Sequence, residues 1–342
     1  YQEVLSKGIN YRKENPLVVE KELDKGKRED LACIIFTSGT TGEPKGVMLQ
    51  HSNFIVQLED LPSRIYLKPG DKALCVLPVW HAFQRLCEYM ILVQASAICY
   101  SKPVGSIMLA DFVKLNPRLM PAVPRVFEAV YEGVMRSMRK TGGVVNALFK
   151  FFLAVSLLQC KIDRILFRKI ARFKKDHLIL NWIFLFLPWI LLLSLKKLGN
   201  VLVFKKIQAK LGNNFLGGVS GGGALPPAVD EFFWAVGINI VEGYGLTETA
   251  PVISVRPFHA PIFGTVGKPI AGVEVRIVGE DGSVLPPGKK GVVQVRGGIV
   301  MKGYYKKPEL TAKAIDSQGW FNTGDLGMLT IDGEIVLRGR IK

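Results

Sequence analysis

The chain carries FTSGTTGEPKG at positions 36–46, directly after the apolar stretch Ala32–Phe36. Three glycines allow a tight turn that presents backbone N–H groups to an anion, while four hydroxyls and a lysine add donors and charge. This combination is suited to a polyphosphate. It differs from a Walker A loop, because Lys45 follows Gly42 by three positions and no Ser or Thr comes next. The alternative is a Gly/Thr-rich surface turn, which the density of donors after an apolar run makes the weaker hypothesis. The candidate phosphate ligands are Thr37, Ser38, Gly39, Thr40, Thr41, Gly42 and Lys45.

Apolar, strand-like runs alternate with helix-like stretches around this loop. Ala73–Pro78 and Ala97–Tyr100 are such runs, and from about Val252 short strands such as Val273–Val278 are broken by Gly and Pro. The first pattern is typical of α/β folds, and the second indicates a small β-rich subdomain. The sequence predicts five parts. They are a lead-in (1–30), an α/β subdomain with the loop (31–143), a basic apolar helical insertion (144–210), a second α/β region (211–251) and a β-rich subdomain (252–342).

The positive charge is concentrated in one segment. The chain has 45 Lys and Arg against 29 Asp and Glu, a net charge of +16. Between Arg136 and Lys210 lie 16 basic residues and two acids, which accounts for +14 of it. Because long apolar runs separate these basic residues, the segment suits an anionic membrane surface better than nucleic acid. Five scattered cysteines without a CxxC pair argue against a disulfide framework or zinc site and favour a reducing compartment.

Further motifs follow the loop in order. They are GGGALP at 221–226, GYGLTET at 243–249, GTVGKP at 264–269, GWFNTGD at 319–325 and GRIK at 339–342. With the loop, they resemble the adenylate-forming (AMP-binding) superfamily, from about Leu31 to the end of the chain. LPVWHAFQR at 77–85 and VPRVFE at 123–128 look like its long-chain fatty acyl branch, particularly the acyl-CoA and acyl-carrier-protein synthetases of bacteria and plastids.

The resemblance implies the large N-terminal domain of an adenylate-forming enzyme, with stacked α/β subdomains and a small β-barrel-like subdomain. It also implies a reaction: a carboxylate attacks the α-phosphorus of ATP, and a thiol then accepts the acyl group. ATP, Mg²⁺ and coenzyme A are the implied cofactors and co-substrates. The implied catalytic residues are Lys45, Thr247, Glu248 and His81.

The motifs carry further implied roles. Glu248 would ligate Mg²⁺, Thr247 would bind the α-phosphate, and Tyr244, beside Gly245, would stack on adenine. Asp325 would bind the ribose hydroxyls with help from Arg340. Taken singly, Glu248, Asp325 and Arg340 are each more typical of a surface or turn residue, and only their joint occurrence in the family's order favours the binding roles. The implied adenine wall is Gly222, Gly223 and Ala224, and Lys342 begins the family's hinge.

His81 follows the apolar run Ala73–Val79, at the end of a predicted strand where α/β folds place ligand groups. The family has a histidine here, beside the acyl carboxylate. A structural histidine remains the open alternative.

Two parts of the insertion have helical character. Over Cys160–Phe173, apolar residues fall on one helical face and basic residues, among them Arg164, on the other. Leu178–Leu195 would span about 27 Å as a straight helix, close to the thickness of a bilayer core. One full crossing would separate the two halves of the implied ATP site. We therefore expect a monotopic element, bent at Pro188, in or on one leaflet; a hairpin packed on the protein or on a second subunit is the alternative.

The leading functional hypothesis is a long-chain fatty acid–CoA ligase on the cytoplasmic face of a membrane. A homodimer, in which a second subunit covers the insertion, is the hypothesis for its assembly. Acyl carrier protein as acceptor is the runner-up. A nucleotide- or lipid-binding fragment is a third hypothesis, because the family continues past the hinge with a mobile domain that carries another catalytic lysine. We expect residues 1–342 alone to be poorly active and to begin inside a longer protein.

Overall fold

The computed structural model describes residues 1–38, 43–174, 178–212 and 214–341. Two exposed helices, α1 (Gln2–Glu14) and α2 (Val18–Lys25), open the chain. Strands β1 (Leu31–Ser38) and β2 (Pro44–Gln50) then pair in antiparallel fashion on either side of the phosphate loop. Five residues singled out in the sequence lie outside the described part: Gly39, Thr40, Thr41, Gly42 and Lys342.

The largest sheet confirms the predicted α/β class. Its strands are β3 (Lys72–Cys75), β4 (Ala97–Tyr100), β5 (Leu119–Ala122), β6 (Gly217–Ser220), β7 (Asn239–Gly245) and β8 (Val252–Val255). They lie in the order β4-β3-β5-β6-β7-β8, parallel except for β8. Short apolar strands of this kind are stable when helices cover both faces of the sheet.

Helices cover both faces of this sheet. Successive residues of a strand point to opposite sides, so each strand contributes side chains to both helical layers. In β7, Val241 joins the hydrophobic cluster that contains Phe54 and Met90, and Ile240 joins the cluster that contains Phe127. The first face carries α3 (His51–Arg64) and α4 (Ala82–Val93); the second carries α5 (Gly105–Leu115), α6 (Pro124–Thr141) and α10 (Pro227–Ala235).

Strand β6 requires glycine. A Cβ on Gly218 would lie 2.5 Å from the Phe127 ring, and one on Gly217 would lie 1.9 Å from the carbonyl oxygen of Asn239. No other residue type allows the neighbouring strand and helix to pack so closely here.

The part of the chain after β8 adds antiparallel strands. They are β9 (Val273–Val278), β10 (Gly291–Gly297), β11 (Gly303–Tyr304), β12 (Phe321–Leu329) and β13 (Ile335–Arg340), with helix α11 (Pro308–Ala314) before β12. Four of them form a sheet of order β13-β12-β10-β9, whereas β11 pairs with β2. The second pairing joins the C-terminal part to the phosphate loop. The five-part division of the chain stays a prediction.

The insertion forms an antiparallel pair of long helices, α7 (Gly143–Leu166) and α8 (Leu178–Gly199), followed by the short helix α9 (Lys205–Gln208). The Trp189 indole N–H donates to Asp163 across 3.1 Å, and Lys196 donates to Gln159 across 3.0 Å. Helix α8 is continuous through Pro188. Among the described residues, the helices Gly143–Leu166 and Ile179–Leu211 are long and apolar enough to cross a membrane, by length and composition only.

The helix predicted over Cys160–Phe173 is wrong at its C-terminal end. Helix α7 ends at Leu166, and Ile170 forms an isolated bridge with Phe263. Arg164, assigned to the basic face, is only 8% exposed and its guanidinium lies 3.5 Å from the centre of the Phe263 ring. A planar guanidinium stacks on aromatic rings, so helical periodicity alone misplaced it.

Candidate active site

A cavity of about 320 Å³ lies at the carboxyl ends of the parallel strands, where α/β sheets bind ligands. The chain reaches it from three directions: the phosphate-loop strand, the turns after β6 and β7, and the end of β13. Thirteen lining residues come from the predicted motifs: Thr37, Ser38, His81, Phe83, Gly221, Gly222, Gly243, Tyr244, Gly245, Leu246, Thr247, Glu248 and Arg340.

The structure describes the two flanks of the phosphate loop. Thr37 stands opposite Lys45 in the β1–β2 ladder, so both flank the loop at the same level. The Lys45 ammonium lies 5.4 Å from the centre of the Tyr304 ring. Lys45 is therefore held beside the C-terminal strand β11, although it does not line the cavity itself.

Glu248 is held by the same strand segment. The Tyr304 hydroxyl donates to Oε1 of Glu248 across 2.9 Å, and the Met301 N–H donates to the Glu248 carbonyl across 2.8 Å. Burial, and then the negative charge of Glu248, raises the pKa of Tyr304. Tyr304 therefore stays a neutral donor, and its hydroxyl contacts Glu248 while its ring contacts Lys45.

The Glu248 carboxylate fits a cation that brings most of its own ligands. Among the described residues, no group of three or more His, Cys, Asp or Glu side chains could hold a metal ion. Mg²⁺ prefers oxygen ligands and is commonly bound by one or two carboxylates together with substrate phosphates. One carboxylate beside a phosphate loop matches that donor set.

Tyr244, Asp325 and Arg340 form one group, linked by a hydrogen bond and an ion pair. The Tyr244 hydroxyl donates to Oδ2 of Asp325 across 2.8 Å. Arg340 stands directly opposite Asp325 in the β12–β13 ladder, with its Nε 3.4 Å from Oδ1. Burial raises the pKa of Asp325, opposed by the Tyr244 hydrogen bond and the Arg340 charge. The sequence motifs named all three residues, and the structure brings them together.

The adenine-side glycine turn is anchored by a buried ion network. Gly222 has φ +78°, the left-handed region that favours glycine. Three residues on, the Leu225 N–H donates to Glu242 across 2.9 Å. Arg256, fully buried, lies 3.0 Å from both Glu242 and Asp230. Gly223 and Ala224 belong to the same turn but do not line the cavity.

His81 has a structural contact at the edge of the cavity. It is the N-cap of α4, and its Nδ1 accepts the Phe83 N–H across 3.2 Å. Partial desolvation lowers the pKa of His81, which favours the neutral ring that this acceptor role requires. The capping role and a position beside the substrate are both compatible with this geometry.

Much of the cavity lining is apolar. Apolar side chains come from α4 (Phe83, Met90), from β8 (Val252, Val255) and from Leu61 and Ile65. The cavity therefore combines polar groups, among them Thr37 and Glu248, with apolar surface suited to hydrocarbon.

Sequence patterns missed Tyr304 and Arg256. Tyr304 lies 56 positions from Glu248, and only the pairing of β11 with β2 brings it there. Arg256 directly follows the apolar strand β8, and this position was a weak sequence signal of burial. A buried arginine needs carboxylates close to it.

Comparison with known proteins identifies the family. The model of the AMP-binding enzyme family matches residues 2–305. The chain belongs to the AMP-binding enzyme family. Two relatives come from Arabidopsis thaliana. "Probable acyl-activating enzyme 16, chloroplastic" is 39% identical over 331 residues, and "Long-chain-fatty-acid--[acyl-carrier-protein] ligase AEE15, chloroplastic" is 37% identical over 335 residues. Each comparison covers 92% of this chain and 45% of the relative. The long-chain-fatty-acid–CoA ligase FadD15 of Mycobacterium bovis is 32% identical, covering 92% of this chain and 47% of that one.

The chain thus spans about half the length of the curated relatives it matches. Among solved structures, the ATP-bound RpMatB-BxBclM chimera B3 is 23% identical with a TM-score of 0.64, over 92% of this chain and 49% of that one. The N-terminal domain of FACL13 from Mycobacterium tuberculosis is 20% identical with a TM-score of 0.61, over 91% and 60%. These likenesses establish the adenylate-forming fold predicted from the motifs.

Proposed function

We propose that this AMP-binding protein activates a long-chain fatty acid. A carboxylate oxygen attacks the α-phosphorus of ATP, the bond to the bridging oxygen breaks, and pyrophosphate leaves with that electron pair. The sulfur of a thiol then attacks the acyl carbon, AMP leaves, and the thiol proton passes to solvent. The observation that carries this proposal is one cavity that combines Thr37 and Glu248 with apolar surface.

The polar groups support a division of roles. Thr37, Ser38 and Lys45, with residues 39–42 of the loop, bind the β- and γ-phosphates, and Thr247 binds the α-phosphate. Mg²⁺ held at Glu248 would neutralise charge that develops on the phosphate oxygens. Because little covalent chemistry falls to the protein, positioning and electrostatics supply the catalysis.

Tyr244, Asp325 and Arg340 provide the nucleoside end of the proposed site. Asp325, already an acceptor for the Tyr244 hydroxyl, would accept the ribose hydroxyls. Adenine would lie between Tyr244 and the wall of Gly222, Gly223 and Ala224. His81 also lines the cavity, and in this proposal it lies beside the fatty acid carboxylate.

Coenzyme A is the proposed acceptor, and acyl carrier protein is the second candidate. The name of the 37% identical relative gives the carrier protein as its acceptor, whereas that of the 32% identical relative gives coenzyme A. The basic surface of this chain would attract an acidic carrier protein.

We also propose that the α7–α8 pair holds the protein on one face of a membrane, toward the cytoplasm, without crossing it. Ile183 is 67% exposed and Phe184 72% exposed, and lysines stand at the end of α8. A second copy of the chain covering this surface is the alternative that an oligomer measurement would reveal.

ATP–pyrophosphate exchange by the full-length protein, across a panel of carboxylic acids, tests the proposal. We expect exchange that depends on Mg²⁺ and on acids with long alkyl chains. Equal exchange with acetate and with a sixteen-carbon acid would contradict the assignment of the apolar surface.

A further inference from the structure

A second cavity lies on the face of the large sheet that is turned away from the candidate active site. It measures about 370 Å³ and lies between α5, α6, α10 and the helical turn Ala209–Leu211. Among the described residues, it shares no lining residue with the first cavity. The sheet itself, through Ile240 on one side and Val241 on the other, separates the two.

The wall of this cavity has one charge. Buried Met108, Phe232 and Phe233 form its apolar interior. Lys210 is the one ionisable side chain among its described lining residues, and it is exposed at the rim. Ligand sites commonly combine an apolar cavity with a few polar groups that fix orientation. A hydrocarbon chain with a single terminal anion matches this distribution of surface and charge.

We infer that this cavity binds a free long-chain fatty acid, with its alkyl chain inside and its carboxylate at Lys210, as a second site where no reaction takes place. Thr37, Glu248 and Tyr244 all line the first cavity, on the other side of the sheet, so a chain bound here is out of reach of ATP bound there. The inference stands apart from the proposed ligase activity, because it rests on the shape and charge of this cavity alone.

The space is built into helix α6. Ala129, Gly133 and Ser137 lie four residues apart and all line the cavity, so one helical face presents small side chains to it. A Cβ added at Gly133 would meet nothing within 4 Å. Glycine is disfavoured in a helix interior relative to alanine, and neither close packing nor a positive φ requires it here. The residue keeps open a space that a larger side chain would fill.

The position of the cavity also suits a membrane-derived ligand. Ile207, Lys210 and Leu211 line it, and they end the long helical run Ile179–Leu211 whose first part is α8. If α8 rests on a membrane, as proposed above, the rim belongs to the same helical run that contacts the membrane. This last step depends on the proposed membrane contact, whereas binding from solution does not.

Photolabelling of the full-length protein with a sixteen-carbon fatty acid that carries a diazirine near its methyl end tests the inference. We expect peptides of α5, α6 and α10 to be labelled, in addition to peptides of the first cavity. In Gly133→Phe the ring occupies the open space. Labelling of these three helices should fall about tenfold or more, because forcing atoms into a filled site typically costs enough free energy to weaken binding by that factor. Gly133→Ala is the matched control and should retain most of the labelling.

The charge is tested separately with Lys210→Gln and the control Lys205→Gln. Lys210→Gln should weaken labelling by the acid severalfold and leave labelling by the matching diazirine alcohol unchanged. If Gly133→Phe fails to fold, Val130→Trp fills the same cavity from the same helix. Absence of label in α5, α6 and α10 of the wild type, or label there that survives both filling variants, would overturn the inference. Loss of ATP–pyrophosphate exchange with labelling intact would count against the proposed ligase activity only.

Discussion

The Tyr304 hydroxyl donates a hydrogen bond to Oε1 of Glu248 across 2.9 Å, while the same tyrosine ring lies 5.4 Å from the Lys45 ammonium. Tyr304 therefore contacts both the proposed metal ligand and the proposed phosphate-binding lysine. Its strand, β11, has only two residues and is held by pairing with β2. The phosphate loop and the Glu248 turn are thus aligned by a residue that neither motif contains.

Tyr304→Phe should lower the rate of pyrophosphate exchange and raise the Mg²⁺ concentration needed for half-maximal exchange. A hydrogen bond to a charged group contributes about 1.5–3 kcal/mol, which corresponds to a loss of roughly tenfold or more. Exchange measured against Mg²⁺ concentration checks this. Tyr305→Phe is the control, since that ring faces Lys306 instead. Equal Mg²⁺ dependence in the two variants would show that Tyr304 does not position Glu248.

Arg256→Met should strongly destabilise the fold, because it leaves Asp230 and Glu242 buried without their cation. Breaking one partner of a buried ion pair costs about 3–5 kcal/mol, whereas an exposed pair contributes at most about 1 kcal/mol. Arg296→Met, which removes the exposed pair with Glu274, is the matched control. Urea unfolding gives the comparison, and similar losses in both variants would refute the structural role of the buried network.

The two roles of His81 can be separated by His81→Asn. Asparagine caps helices well, so stability should be retained, while exchange should fall if His81 also acts on the substrate. His81→Ala should lose about 1 kcal/mol of stability in addition. Unchanged exchange in the asparagine variant would leave His81 as a cap alone.

The cap also predicts a pH dependence. The folded-state pKa of His81 is lowered, so the contribution of the cap is present above the ordinary histidine pKa and is lost as the pH falls through the lowered value. Stability of the wild type should therefore drop more steeply on acidification than that of His81→Asn. Parallel acid limbs in the two proteins would contradict the assignment.

Replacing Ile183 and Phe184 together by serine should reduce binding to vesicles that contain anionic lipid. Burial of apolar surface contributes about 25 cal/mol per Å², and each nearby Lys or Arg adds up to about 1 kcal/mol on anionic lipid. Vesicle sedimentation checks this, and high salt should release the wild type only in part. A control replaces Val284, which is 62% exposed but lies outside the helix pair. Undiminished binding of the double variant would refute contact through α8.

Local patterns predicted the fold class and much of the candidate site. Strand β1 precedes the phosphate loop as expected, and Asp325 and Arg340, 15 residues apart, stand opposite each other because a hairpin joins them. These features depend on contacts between residues that are close in the sequence, and sequence motifs can predict such contacts. The residues that the patterns missed depend on long-range packing.

Arg164 and Tyr304 show why. Periodicity assigns Arg164 to the basic face, yet it stacks on Phe263, almost a hundred residues away. Nothing local to Tyr304 distinguishes it from Tyr305, and only the β11–β2 pairing decides which of the two reaches Glu248. Contacts made between distant segments need the folded chain.

Transfer of labelled oxygen tests the central claim most directly. The full-length protein is incubated with a sixteen-carbon fatty acid that carries ¹⁸O at both carboxylate oxygens. ATP, Mg²⁺ and either coenzyme A or acyl carrier protein are also present. Attack of the carboxylate on the α-phosphorus predicts one ¹⁸O atom in each AMP released and none in pyrophosphate. AMP without label, or label in inorganic phosphate, would contradict the proposed adenylation.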